Sequence, residues 1–311
     1  MLLQYETSLM AKTSGRAGKG VVAEKEALNQ ALLFWVSTSL RDLPWRATRD
    51  PWAVLVSEVM LQQTQVNRVE PKYLEFVERW RTPQALASSR FSDLLKFWQG
   101  LGYPRRARNL YDAATQIVKF HDGKVPRVLE ELLLLPGVGP YTARAVMVFA
   151  FEARVGVLDT NVGRLLARWS GRSLQAKEAQ QIADELVDAG RPWLWNQGLF
   201  DLAALRCTKQ NPQCVGCPVE EWCSWHGAGP DPSLGSAGVT TKQGRFQGSD
   251  RQARGRLLKA LTAGPVPISE AAMAMGVVND QARVSRLIAD LQAESLLTVQ
   301  REVLLLGDLL Q

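Results

Sequence analysis

The chain has 311 residues, 46% of them hydrophobic, enough to bury two or three domain cores. No apolar run reaches the roughly 20 residues that a membrane-spanning helix needs, which excludes an integral helical membrane protein. The net charge of +6 is compatible with a polyanionic partner, and two histidines, His121 and His226, leave acid–base chemistry mainly to carboxylates.

Taken in order, residues 1–20 read as a frayed basic tail with Lys12, Arg16 and Lys19. Apolar residues recur at helical spacing over 22–40 and over 52–69, the second run beginning at Pro51, a residue suited to a first turn. A short helix is predicted at 91–101, stopped by Gly100 and Gly102, and another at 105–120. Arg105, Arg106 and Arg108 crowd its start as a basic cluster. Residues 128–135 run into Pro136-Gly137-Val138-Gly139-Pro140, and helix resumes over 141–151. Helices over 160–169, 175–189 and 195–205 complete the set, with Arg164 and Arg168 four apart on one face. Strand-like alternation is nearly absent, so this region is expected to be all-α. Residues 227–250, dominated by Gly, Pro, Ser and Thr, read as a linker. Helices at 251–261, 268–275 and 282–291, followed by a β-ribbon over 297–306, make residues 251–311 a small winged-helix-like domain.

Four groups of residues carry chemistry. The only cysteines, Cys207, Cys214, Cys217 and Cys223, fall in one stretch spaced C-x6-C-x2-C-x5-C. Four thiolates this close suit one soft metal centre, zinc or iron–sulfur, and the single CxxC leans toward iron–sulfur. Two disulfides would need an oxidising compartment, for which nothing argues. The Gly137-Val138-Gly139 hairpin, between two helices, lets backbone approach a ligand and offers helix-start N–H groups to a phosphate, unless it is an ordinary turn. Asp159 sits where a helix should begin, as an N-cap or as an ionised carboxylate able to stabilise a cation. Glu58 lies within Val54-Leu55-Val56 and Val59-Met60-Leu61. If buried there it would be kept protonated as a general acid; if on the polar face it would be an exposed side chain. The polar run Gln62-Gln63-Thr64-Gln65 suits contact with base edges.

Residues 43–223 resemble the helix-hairpin-helix DNA glycosylase superfamily. The cysteine spacing is that of its endonuclease III branch, and Leu43-Pro44-Trp45-Arg46, the segment from Ser57 to Val66, and Gly100-Leu101-Gly102-Tyr103 are similar to the adenine DNA glycosylases. The resemblance implies an all-α, two-lobed core over 21–226. Its six-helix lobe would be 46–149, and its cluster lobe 21–45 with 150–226. It implies a 4Fe–4S cluster on the four cysteines. It also implies a bacterial, nucleoid-associated enzyme that excises adenine mispaired with 8-oxoguanine or guanine in double-stranded DNA; with no repeat or coiled coil to argue for an oligomer, a monomer is expected. Glu58 would protonate the adenine, Asp159 would stabilise the sugar oxocarbenium ion, and Asn161 and Tyr141 would support that site. Arg41, Trp45 and Gln197 would line the pocket for the extruded base. Gln63 and Tyr103 would enter the stack beside the opposite base, with Thr64 and Leu101 helping to sense it and Gly137 and Gly139 on the phosphates. Tyr141 stands where endonuclease III relatives carry lysine, which implies a monofunctional glycosylase without a Schiff base.

The chain departs from the family pattern at Pro104 and at Asp159-Thr160-Asn161, and residues 227–311 are too few for the Nudix-like domain many relatives carry. Two rival readings are a thymine glycosylase acting on T·G mismatches and a non-catalytic DNA-damage-binding protein.

Overall fold

The computed structural model describes residues 24–236 and 244–307. The basic tail expected over residues 1–20 lies outside the described residues. In chain order the helices are α1 (Lys25–Ser39), α2 (Pro51–Leu61), α3 (Val66–Arg79), α4 (Pro83–Ala87), α5 (Phe91–Phe97), α6 (Arg105–Phe120), α7 (Leu129–Leu133), α8 (Pro140–Phe151), α9 (Thr160–Ser170), α10 (Ala176–Leu186), α11 (Pro192–Leu205), α12 (Asp250–Ala263), α13 (Ala271–Met275) and α14 (Gln281–Ala293). Three short strands, β1 (Val266–Pro267), β2 (Leu297–Gln300) and β3 (Val303–Leu306), lie in the C-terminal region. No helix among the described residues is long and apolar enough to cross a membrane.

The chain divides into two compact units. The first joins residues 24–42 to 152–236. Helices α1, α9, α10 and α11 pack around Leu28, Leu32, Val36, Leu165, Trp169 and Leu199. Its one buried asparagine on α1, Asn29, is fully paired with distant chain: Nδ2 donates to Leu186 O at 2.9 Å, and Oδ1 accepts from Trp195 Nε1 at 2.7 Å. A buried amide with both ends satisfied fixes the register of α1 against the rest of the unit.

The second unit joins residues 43–151 to 244–307. Helix α2 is apolar on nearly every face and packs against both α3 and α8. It starts with Pro51 after an Asp50 cap whose carboxylate accepts from Ala53 N–H. Trp52, Phe76, Trp80 and Phe97 form an edge-packed aromatic cluster beneath it. The helix predicted over 52–69 is in fact two. Helix α2 ends at Leu61, Gln63 takes φ 56°, and α3 begins at Val66. The break is stabilised from outside the segment, since Arg106 takes the carbonyls of Val59 and Met60 at the end of α2.

Helices α12, α13 and α14 with the antiparallel sheet β1-β3-β2 give the helix–strand–helix–helix–strand–strand order of a winged helix. Leu297 pairs with Leu306 and Val266 with Leu304, and Arg301 and Glu302 make the hairpin turn with φ of 48° and 64°. Strand β1 was not foreseen, because two residues ending in proline give no alternation to read. Residues 231–236, assigned by composition to a linker, are docked on the first unit. Asp231 pairs with Arg168 at 2.7 Å, Ser173 Oγ donates to Pro232 O, and Leu174 N–H donates to Ser236 Oγ.

Candidate active site

In the second unit, Glu58 sits near the C-terminal end of α2 and is 5% exposed. The apolar run that makes α2 a core helix is what buries it. Helix α8 packs beside α2 and carries Tyr141 at its second residue, half-buried. Gln62 Nε2 ties the two helices by donating to Thr142 Oγ1 at 3.2 Å. Trp45, in a 3-10 turn over Pro44–Arg46, is buried edge-on against Tyr73 with ring centres 5.6 Å apart.

The hairpin joins α7 to α8. Gly137 has φ 76°, and a Cβ there would lie 2.6 Å from the Asn109 side chain, so glycine is required both for conformation and for space. Gly139 is exposed immediately before α8, whose first-turn N–H groups have no intrahelical acceptor.

Two loops of this unit are held by one buried cation. Arg106 Nη1 donates to Val59 O (2.9 Å) and Met60 O (2.7 Å), and Nη2 donates to Thr64 Oγ1 (2.8 Å), Leu101 O (2.9 Å) and Gly102 O (3.0 Å). Thr64 Oγ1 also donates to Leu101 O at 3.0 Å. Burial pulls the Arg106 guanidinium down to about 10, which leaves it charged at neutral pH. The loops so bridged present Gln63, exposed, and Tyr103, half-buried, both at positive φ (56° and 49°). Non-glycine residues adopt this conformation rarely, and it concentrates at functional positions where surrounding structure holds it.

In the first unit, Asp159 caps α9. Its Oδ1 accepts from the N–H groups of Asn161 (2.9 Å) and Val162 (2.7 Å), and its Oδ2 accepts from Asn161 Nδ2 (2.9 Å). The extended stretch before it is pinned by Asn196, whose Oδ1 accepts from Val157 N–H, and by Asp184, which accepts from Gly156 N–H. Asp159 is thus the N-cap of α9. Arg164 donates to Asn161 Oδ1 at 2.9 Å and also to Cys207 O and Ala203 O, linking the Asp159 turn to the cysteine loop. On α11, Gln197 is buried one turn before Asp201, which is 0% exposed. Arg41 Nε donates to Asp201 Oδ1 at 2.6 Å and its N–H to Oδ2 at 2.9 Å. Arg41 is therefore oriented by a buried carboxylate that sequence reading missed, although Asp201 lies on the same helical face as Gln197.

The four cysteines are free thiols that line one cavity together with Arg168, Trp169, Leu202 and Trp225. Burial raises Cys214 and Cys223 and pushes Cys217 up to about 11. Among the described residues no three Cys, His, Asp or Glu side chains converge on one ion-sized position. The four thiols give this cavity an all-sulfur donor set, the kind that suits a soft metal centre. Arg168, 1% exposed, donates to Cys207 Sγ at 3.2 Å and to the carbonyls of Cys207, Thr208 and Lys209. Its ion pair with Asp231 supplies the balancing charge.

Comparison with known proteins gives these arrangements a context. The model of the HhH-GPD superfamily base excision DNA repair proteins matches residues 56–189. An adenine DNA glycosylase of Mycobacterium tuberculosis is 41% identical over 275 residues, covering 86% of this chain and 89% of that protein. The chain belongs to this superfamily and is a DNA N-glycosylase. The human adenine DNA glycosylase is 42% identical over 217 residues, covering 65% of this chain but 40% of the human protein. Among solved structures, a thermostable thymine-DNA glycosylase superposes with a TM-score of 0.63 at 30% identity, covering 66% of this chain and 97% of that one.

Within the glycosylase, the second unit holds Glu58, Trp45, Tyr141, Gln63, Thr64, Tyr103, Gly137 and Gly139, and the first holds Arg41, Asp159, Asn161, Gln197 and the cysteines. The Leu101 side chain is buried, and its carbonyl accepts from Thr64 and Arg106 inside the loop, so it holds the turn. The basic clusters differ from expectation. Of Arg105, Arg106 and Arg108 only Arg105 is exposed, since Arg108 pairs with Asp112 over the Phe91 ring. Arg164 and Arg168 are buried among loop carbonyls. The common reason is that an arginine with several carbonyl acceptors can be taken into a core at little cost, and those acceptors come from distant chain.

Proposed function

We propose that this chain is a monofunctional glycosylase that releases adenine mispaired with 8-oxoguanine or guanine in duplex DNA, at the nucleoid of a bacterial cell. The observation that carries the reading is Glu58, a carboxyl 5% exposed on an apolar helix, in a chain 41% identical to an adenine-specific relative. A neutral Glu58 donates its proton to N7 of an extruded adenine. The C1′–N9 bond then breaks, with its electron pair passing to the purine. Asp159 faces the developing sugar cation with a carboxylate fixed by three N–H donors. Water adds at C1′ and its proton returns to the Glu58 carboxylate. Tyr141 in place of an amine leaves the sugar without a Schiff base, so the product is an intact strand with an abasic site.

The four cysteines would hold a 4Fe–4S cluster, which supplies cross-linking of the 207–223 loop. Arg168 and Asp231 orient that loop independently of the cluster. The likeness to a thymine-DNA glycosylase structure favours a second reading, release of thymine opposite guanine. The test is single-turnover incubation with duplexes carrying A opposite 8-oxoguanine, A opposite G, or T opposite G, analysed with and without alkali. Adenine release visible only after alkali supports the first reading. Thymine release supports the second, and no release from any duplex overturns both.

A further inference from the structure

The contact that the proposed chemistry leaves unexplained joins the C-terminal region to the loop carrying Tyr103. Tyr103 is fixed at both ends of its side chain. Its ring lies 5.6 Å from the Arg106 guanidinium carbon, and its hydroxyl accepts from Arg251 Nη1 at 3.3 Å. Arg251 is an exposed residue in the first turn of α12, and it is itself braced: Nη2 donates to Gly244 O at 2.7 Å, and the guanidinium lies 5.9 Å from the Phe246 ring. The turn that carries it is tied to the remainder of the C-terminal helices. Asp250 accepts from Arg283 Nε and from Arg286 Nη2, each at 2.7 Å, and Arg283 also donates to Gly248 O at 2.8 Å. Charge-assisted bonds therefore tie α14 to Asp250, and Arg251, its neighbour in the chain, carries a further one to the tyrosine hydroxyl.

The same pairs bear on what α14 can do. In a winged helix the third helix is the usual groove reader. Here Arg283 and Arg286 are directed onto Asp250 and, for Arg286, also onto Asp290. Their charge is spent on holding the start of α12 instead of projecting as an unpaired basic face.

We propose that Arg251 is a positioning residue for Tyr103, through which the C-terminal region sets how the tyrosine enters DNA opposite the excised base. This rests on the adenine-mismatch reading above. Tyr103 already stands at φ 49°, in a loop whose backbone is held by Arg106 and by Trp98 Nε1 on Gly102 O. The backbone is thus pre-set, and the hydroxyl contact fixes the remaining freedom of the side chain. A side chain held in place before binding loses less entropy on stacking.

The experiment is a double-mutant cycle on the full chain with Arg251→Ala and Tyr103→Phe, plus Arg251→Lys as the conservative variant. Tyr103→Phe keeps the ring and removes the hydroxyl that accepts from Arg251. Two readouts are used: the single-turnover rate on A opposite 8-oxoguanine and A opposite G, and the fluorescence of 2-aminopurine placed beside the mismatch, which reports unstacking without any chemistry. Each single variant should lower the rate and the unstacking signal by roughly 3- to 10-fold, the scale of one net hydrogen bond. The double variant should be no worse than either single one, and Arg251→Lys should recover part of the loss. Multiplying effects in the double variant, or parental behaviour of Arg251→Ala in both readouts, would overturn the proposal. If the parent unstacks the DNA but releases no adenine, the function reading fails while the fluorescence cycle still decides the role of Arg251.

Discussion

Replacing Arg106 by lysine probes the joint between the two loops that carry Gln63 and Tyr103. The guanidinium reaches five acceptors on two loops and at the end of α2, at 2.7 to 3.0 Å. An ammonium has three donors on one nitrogen, so at least two buried acceptors lose their partner. At about 1.5 kcal/mol for each charge-assisted bond, the lower end of the range, Arg106→Lys should destabilise the fold by about 3 kcal/mol. Arg106→Ala removes all five and should destabilise the fold further than Arg106→Lys does. Because burial brings the guanidinium down only to about 10, the effect should be flat from pH 6 to 8. Urea titration followed by circular dichroism measures the stability, and single-turnover base release measures the accompanying loss as Gln63 and Tyr103 loosen. An Arg106→Lys protein within about 0.5 kcal/mol of the parent would refute the assignment of the five bonds.

Glu58→Gln keeps shape and removes the proton donor, so base release should fall by about 100-fold or more while mismatch binding stays within about threefold; a variant retaining a tenth of the parental rate would remove the acid role. Tyr141→Lys places an amine at the start of α8, and borohydride should then trap a covalent protein–DNA adduct that the parent does not give; trapping by the parent would contradict monofunctional chemistry. Asp231→Asn tests the clamp on the cysteine loop. Partial burial, the largest single influence, would raise the Asp231 carboxyl, but the Arg168 hydrogen bond, the Ser233 hydrogen bonds and the Arg168 charge together outweigh it and hold the group at about 2 against an ordinary 3.8. A folded-state value below the unfolded one stabilises the fold fully above pH 3.8, and the gain fades as pH falls through 2. The parent should therefore exceed Asp231→Asn by about 2 kcal/mol at pH 7, with the gap narrowing toward pH 3. Equal denaturation midpoints at pH 7 would show that Arg168 does not depend on this partner.

What sequence disclosed follows physical range. Helix α6 was placed at 105–120 because its apolar stripe and the preceding glycines are local signals. The apolar residues on both sides of Glu58 left burial and an exposed polar face both open, and the packing of α2 against α3 and α8 is what decides for burial. The end of α2 at Leu61 was not readable, because its causes are an arginine more than forty residues away and a positive φ at Gln63. Arginine is where reading by spacing failed most. The i, i+4 pair Arg164 and Arg168 was placed correctly on one face, but which face is buried depends on the carbonyls of residues 203–209. Asp201, Asp231 and Asn196 escaped notice for the same reason: each is a polar residue whose meaning lies in a partner far along the chain.

The first unit is assembled from the two ends of a long excursion, residues 24–42 and 152–236. During synthesis α1 leaves the ribosome with Leu28, Leu32 and Val36 uncovered, and the helix that covers them, α11, ends 166 residues later, at Leu205. At bacterial or slower elongation speeds that interval is roughly 10–30 s, long enough for the intervening helical segment to fold first. Asn29 then acts as a latch for a late arrival, accepting Trp195 only when the returning chain presents both it and the Leu186 carbonyl in register. Truncations that stop between residues 152 and 205 should strand α1 as an adhesive amphipathic helix, making nascent chains of that length the ones that most need chaperone cover.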